Sequence, residues 1–226
     1  DYKTRNDFAA SNTMVDWLSA MNDPRLGVYF NPAVATDTYV GEVYGLDEAN
    51  AALTPNDAVS QRGDAVLAGN LPGIYFDAAQ THFLCAEAAE RGWSGTPLDA
   101  EGHYNAAITL SMQWWGLTDA DAINAYLAQA DVAYTTAAGD WKQKIGSQKW
   151  AALYMQGHEA WAEVRRLDAP ALNACADGHL AGDGNVPSRF EYPLDEQTLN
   201  SSGYGSGVAA LGGDDALETK LWWDVN

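Results

Sequence analysis

Positive charge is scarce in this chain. Twelve Lys and Arg stand against 31 Asp and Glu over 226 residues, a formal net charge of −19, and a field of that sign repels phosphate backbones and anionic lipid headgroups. Nucleic acid is therefore not an expected partner. Cysteine is nearly absent. Cys85 and Cys175 build no disulfide framework, and Cys85, inside an apolar helical run, is expected to pack as a small buried hydrophobe. No apolar run approaches the roughly 20 residues that span a bilayer. The opening DYKTRNDFAA also lacks the charged-then-apolar pattern of a signal peptide, so these residues give no route of export.

Recognisable catalytic patterns are missing too. His158-Glu159 does not continue to a second His at zincin spacing, so a hydrogen-bonded structural role is expected for His158. GYGSGV has the glycines of a nucleotide loop without the strand before it or the helix after it. DGHLAGDGN offers Asp177, Asp183 and Asn185 as oxygen ligands compatible with a structural calcium ion, but Pro187 interrupts EF-hand spacing and no bidentate Glu follows in register. No other cofactor is suggested. Glu87, Glu90 and Glu101 form a glycosidase pair only if a cleft sets their separation, and pairs arise by chance among so many acids. The balance favours a binding protein over an enzyme.

What is present is apolar and aromatic. At 24.3 kDa and 47% hydrophobic residues the chain can build one large domain or two small ones. Nine Trp and 11 Tyr outnumber five Phe, a bias toward rings with a polar handle that suits half-wet surfaces as well as helical cores.

Residues 1–73 mix turn formers with aromatics and read as a long structured loop after a short helix near Asn12–Met21. Loops of that length are commonly functional. From Gly73 helical periodicity takes over. Phe76, Ala79, Phe83 and Ala86 share a face that Gly92 ends; Thr96 and Pro97 open a second helix that closes at Gly116; Thr118-x-x-Asp121 opens a third. The longest helix is expected from about Asp140 to Leu167, with Trp150, Leu153 or Tyr154, Gly157, Trp161 and Val164 on one stripe and Pro170 beyond it. Gly157 on that stripe suggests a close helix contact. The Gly/Ser/Asn-rich tail reads as irregular. The fold class is all-α, helix pairs with long irregular loops.

Taken in order, DPRLGVYFNPA with YVGEVYG, FDAAQTHFLCAEAAERGW, SQKWAALYMQGHEAWAEVRRL, VPSRFEYPLDEQTLN and TKLWWD resemble successive blocks of one family. That family is the starch-utilisation-system D-like (SusD/RagB) nutrient-binding lipoproteins of Bacteroidetes outer membranes. The match runs across Asp23–Asp224 and looks like the C-terminal half of such a protein. The resemblance implies tetratricopeptide-like helix pairs carrying a large irregular region, in a single SusD-like domain. It implies a non-catalytic, cell-surface lipoprotein that binds an oligosaccharide, or in part of the family a peptide, and sits on a SusC-like TonB-dependent transporter. Family members are about twice as long, so an N-terminal half and a lipid anchor outside this chain are expected. A glycoside hydrolase and a helical adaptor with protein partners only remain as other readings.

Ligand contacts are placed by position on the aromatic loop: Tyr29, Tyr39 and Tyr44 as stacking rings, Glu42 to orient hydroxyls, and Trp93 at a helix end. Trp222 and Trp223 are expected to be structural, at least one ring pinning the tail, and Arg189 to pair with a carboxylate between Pro187 and Pro193.

Overall fold

The computed structural model describes residues 8–93, 95, 97–177 and 186–225. The described residues are mostly helical: α1 (Asn12–Ala20), α2 (Leu26–Tyr29), α3 (Glu48–Ala51), α4 (Asp64–Leu67), α5 (Ala78–Glu90), α6 (Ala100–Trp114), α7 (Ala120–Leu127), α8 (Trp141–Ala152), α9 (Gly157–Leu167), α10 (Leu194–Leu199) and α11 (Ser201–Leu211). One small antiparallel ladder joins β1 (Phe30–Asn31) to β2 (Gln61–Arg62), with Phe30 opposite Arg62. The chain divides into two compact units, Asp1–Glu42 with Thr54–Pro170 and Val43–Leu53 with Ala171–Asn226.

In the first unit, aspartate begins α5, α6, α7 and α8. Asp77, Asp99, Asp119 and Asp140 each accept a backbone N–H of the first turn, at 2.7 to 3.1 Å. A carboxylate there satisfies an orphan donor and meets the positive end of the helix dipole, so part of the acidic excess is used locally. This corrects two expected starts. Thr96 lies outside the described residues and Asp99 caps α6; Asp119 rather than Thr118 caps α7. Gly92 and Gly116, both at positive φ, follow the last turns of α5 and α6 as expected.

The expected helix from Asp140 to Leu167 is two helices. α8 ends at Ala152, Met155 turns left-handed at φ 68, and α9 starts at Gly157. Gly157 stands at the break, but it also falls on the expected stripe, which runs through the break in register, so periodicity alone could not show it. The close backbone approach falls at Gly146, where a Cβ would sit 2.8 Å from the Ala169 Cβ, and not at Gly157, which faces open space.

α5, α6, α7 and α8 enclose the core around Phe83, Tyr104, Ile108, Met112, Tyr126 and Ile145. Phe76 precedes α5 and is exposed, and Cys85 is only half-buried.

Two polar networks tie this scaffold. In the Asp23-Pro24-Arg25 turn both charged side chains are fully enclosed. Arg25 Nη2 meets Asp23 Oδ2 at 2.5 Å and donates to Gln148 Oε1 at 2.9 Å; Nη1 donates to Ser111 Oγ at 3.1 Å; Tyr126 OH donates to Asp23 Oδ2 at 2.8 Å. The loop is thereby bonded to α6, α7 and α8 at once, which gives a physical role to the DPR letters. Burial alone would raise the Asp23 carboxyl, but the Arg25 charge and hydrogen bonds outweigh it and hold it below the usual range. The second network joins α5, α8 and α9. Arg166 grips Glu87 with both Nη atoms at 2.5 and 2.6 Å and reaches Glu163 at 2.6 Å, while Lys149 meets Glu163 at 3.0 Å.

The second unit is held differently. Ala176 and Asp177 donate backbone N–H bonds to Tyr44 O and Gly45 O. Arg189 Nη1 meets Asp215 Oδ1 at 2.6 Å, and the Tyr192 N–H donates to the same oxygen, so Arg189 does pair with a carboxylate. The tail read as irregular contains α11, ended by Gly212 at φ 73. Its glycines depress intrinsic propensity by roughly 1 kcal/mol each, yet Gly207 lets the Tyr192 hydroxyl approach to where a Cβ would be 3.0 Å away. Trp222 is exposed and Trp223 half-buried. Both cysteines are free.

Candidate functional site

The break between α8 and α9 shapes the surface of the first unit. A groove of about 400 Å³ lies on one side, lined chiefly by apolar groups: Phe8, Met14, Phe30, Trp150, Tyr154 and Met155, with Arg62 among them. A second, of about 460 Å³, is lined by Ile74, Tyr75, Phe76, Met155, Gln156, Gly157, His158 and Glu159. Each volume falls in the roughly 300–1,000 Å³ range of small-ligand sites.

Local structure explains each wall. The β1–β2 ladder sets Phe30 opposite Arg62, whose guanidinium lies 5.0 Å from the Phe8 ring centre. Trp150 is fixed edge-on against Trp17 at 5.8 Å. Tyr154 stacks on Tyr29 at 4.1 Å and donates its hydroxyl to the Tyr29 carbonyl at 3.2 Å; burial pushes its phenol up to about 12. In the second groove Tyr75 is 97% exposed and Phe76 is exposed beside it. α9 begins there without a side-chain cap, and its first intrahelical bond runs from Ala160 N–H to Gln156 O. Among the described residues the N–H groups of Gly157, His158 and Glu159 therefore have no acceptor. Gln80 Nε2 donates to Gln156 Oε1 at 2.7 Å, and the buried Gln156 Nε2 has no partner.

None of the five residues expected to contact ligand lines either groove. Tyr29 is completely buried and donates to Ala151 O at 3.1 Å, so it is a core ring behind Tyr154 and offers no face to a ligand. Tyr39 is 36% exposed, its hydroxyl lying over Gly27. The Glu42 backbone brackets α1, with Glu42 N–H donating to Ala10 O and Asn12 N–H to Glu42 O. This strap backs Ala10 and Ser11 of the first groove. Trp93 is exposed at the end of α5 with the Arg91 guanidinium 5.6 Å from its ring. Tyr44 is half-buried in the second unit.

The residues that sequence reasoning missed are those around the break. Phe76 is expected on the apolar face of the helix that follows, and its neighbour Tyr75 carries no expectation. His158 and Glu159 were weighed only as a zincin fragment; His158 is exposed and its side chain makes no hydrogen bond among the described residues, in place of the structural bond expected of it. The uncapped start at Gly157 would have been the usable signal, had the helix break been visible.

Other candidate chemistry resolves into structure. Glu87 is held between Arg166 and Arg91; burial would raise its carboxyl, but the bonds and charges of both arginines keep it below the ordinary value. Glu90 accepts from Tyr134 OH at 2.8 Å. Asp177 Oδ2 accepts from the Asp47 N–H at 2.5 Å, while Asp183 and Asn185 lie outside the described residues. Among the described residues no three His, Cys, Asp or Glu side chains converge as metal ligands, and no helix is long and apolar enough to cross a membrane.

Residues 1–193 match a SusD-like family described as starch-binding and associating with the outer membrane. A SusD homolog from Bacteroides vulgatus is similar over 96% of this chain and 49% of its own, with 28% identity and a TM-score of 0.80. A chitin-binding SusD homolog from Flavobacterium johnsoniae is similar over 98% of this chain and 50% of its own, with 27% identity and a TM-score of 0.80. The chain thus spans about half the length of these solved structures. No curated protein matches it.

Proposed function

The chain belongs to the SusD-like family, described as starch-binding and associating with the outer membrane, and from that premise we propose that it is part of a cell-surface receptor that binds an oligosaccharide without altering it. The observation that carries this reading is the groove where the exposed rings of Tyr75 and Phe76 stand beside the unpaired N–H groups that open α9. A pyranose has an apolar face that stacks on a ring and edge oxygens that accept hydrogen bonds, so one surface serves both. The relative named as chitin-binding supports a carbohydrate ligand.

Binding rather than hydrolysis is supported at Glu87, one of the carboxylates weighed as a glycosidase acid. A glycosidase acid needs a raised pKa; Glu87 is held the other way by two arginines. The reading needs no cofactor. Attachment through a lipid outside this chain, and a SusC-like TonB-dependent transporter as partner, complete it as family inferences. The same unpaired N–H groups also suit peptide carbonyls, so the test includes both ligand classes.

Calorimetric titration with maltooligosaccharides, chitooligosaccharides and a peptide mixture, on the protein and on Tyr75→Ala/Phe76→Ala, checks it. Glycan binding that weakens roughly tenfold or more in the variant is expected. Peptide binding with no glycan binding overturns the carbohydrate assignment.

A further inference from the structure

The turn between α8 and α9 holds a residue type that its backbone does not favour. Four non-glycine residues among those described have positive φ: Asn22, Asp37, Asp168 and Met155. Asn and Asp visit the left-handed region readily because a short polar side chain bonds locally; an unbranched apolar side chain has no such relief. Met155 sits at φ 68 and is 56% exposed, so the fold gains little from burying it. Glycine would hold the same turn without a Cβ. A strained position that the core does not reward points toward a role at the surface.

Met155 lines both grooves and is therefore the wall between them. The two sides differ in chemistry. Trp150, Tyr154, Phe30 and Met14 make one of them apolar. The other carries the unpaired N–H groups of Gly157, His158 and Glu159, and the buried Gln156 Nε2 without an acceptor. Charges of opposite sign stand at the two sides, Arg62 in the first groove and Glu159 in the second. A chain of either single charge meets one of them unfavourably, and the net −19 further opposes an anion.

We infer that the two grooves are consecutive subsites of one cleft for an uncharged, extended oligosaccharide, and that Met155 is the contact over which the sugar chain crosses from one to the other. This rests on the oligosaccharide-binding reading and adds the length and charge of the ligand and a residue that selects them. The flexible, polarizable thioether adapts to an uneven sugar face. Tyr75 and Phe76 hold the far end and Trp150 with Tyr154 the near one.

The inference is tested by titrating maltooligosaccharides and chitooligosaccharides, from disaccharide to heptasaccharide, into the wild-type protein, Met155→Gly, Met155→Leu and Tyr75→Ala. Wild-type affinity is expected to climb with chain length until both grooves are filled. Met155→Gly relieves the backbone, so its melting temperature should stay within about 3 °C of wild type, while its affinity for the longest oligosaccharides falls roughly tenfold and that for the disaccharide changes little. Met155→Leu keeps the bulk and should keep binding. Tyr75→Ala, at a fully solvated ring, provides a second variant that folds and should weaken long ligands. Wild-type affinity independent of length, or Met155→Gly binding every length as wild type does, overturns the inference and leaves the receptor reading standing. Failure of the wild type to bind any oligosaccharide sinks the receptor reading, and this inference with it.

Discussion

The two units of this chain each hold an enclosed ion pair, but they tie it to different amounts of structure. In the first, the Asp23 and Arg25 side chains are fully enclosed, Nε and Nη2 of the guanidinium hold Asp23, and Nη1 and Nη2 reach Ser111 of α6 and Gln148 of α8. In the second, α10 and α11 bury no side chain completely, and one bracket, Arg189 with Asp215 and the Tyr192 N–H, fixes the path of an extended segment. A buried ion pair is strongly destabilising only when one partner is removed, because the other is then left uncompensated in a low-dielectric interior. The first pair is bonded to three helices, so its unit should fail globally when it is cut; the second is bonded to neighbouring Ala216 and Tyr192, so its unit should fail locally.

The largest effect should come from Arg25→Ala, which strands Asp23. A loss of about 3–5 kcal/mol is expected, visible as a fall in melting temperature of roughly 10 °C or more. Adding Asp23→Ala should recover part of it, since the double variant no longer buries a lone charge. A single-variant loss below about 1 kcal/mol would remove the contrast between the units.

Next in size is a pair of glycine substitutions. Gly146→Ala drives a methyl against Ala169 and should cost about 1–3 kcal/mol by overpacking. Gly157→Ala meets open space at a helix start and should be neutral or stabilising by a few tenths of a kcal/mol. Chemical denaturation of both variants separates them.

Arg189→Ala should leave the main thermal transition nearly in place while amide exchange accelerates through residues 186–219. If the whole melting curve moves instead, the two units do not unfold as independently as their interiors suggest.

The smallest effect concerns pH. Burial, and next the His82 ring, whose Nδ1 lies 2.9 Å from that of His103, lower the His103 pKa. The unfolded chain then binds more protons in the window below the ordinary histidine value, so stability is full above about pH 6.5 and declines gently as pH falls through that window. Asp23, Glu87 and Asp215 have lowered folded values, so a second decline begins near the ordinary carboxylate range, about pH 4, and continues below it. Melting temperatures from pH 7 to pH 3 check both limbs, and His103→Gln should flatten only the first.

Much of the scaffold was legible in the letters. Phe83, Ala86, Trp150 and Leu153 recur at helical spacing and are buried where that spacing puts them. Gly92 and Gly116 stop helices because their φ is positive there. The candidate site was less legible. Tyr29 looked like a loop ring and proved to be core, because only the fold brings Tyr154, distant in sequence, against its face. Phe76 looked like the start of a core stripe and proved to be exposed, because α5 starts at Ala78 after its Asp77 cap.

By itself the sequence determined the all-α class, the acidic surface that disfavours polyanions, and the family membership carried by its ordered blocks, since composition and short-range periodicity act through neighbours along the chain. The tertiary structure alone decided where the long helix breaks, which glycine is crowded, and which rings face solvent. Each of those depends on what lies opposite in space: a methyl of Ala169 against Gly146, a tyrosine stacked on Tyr29, and open groove on both sides of Met155.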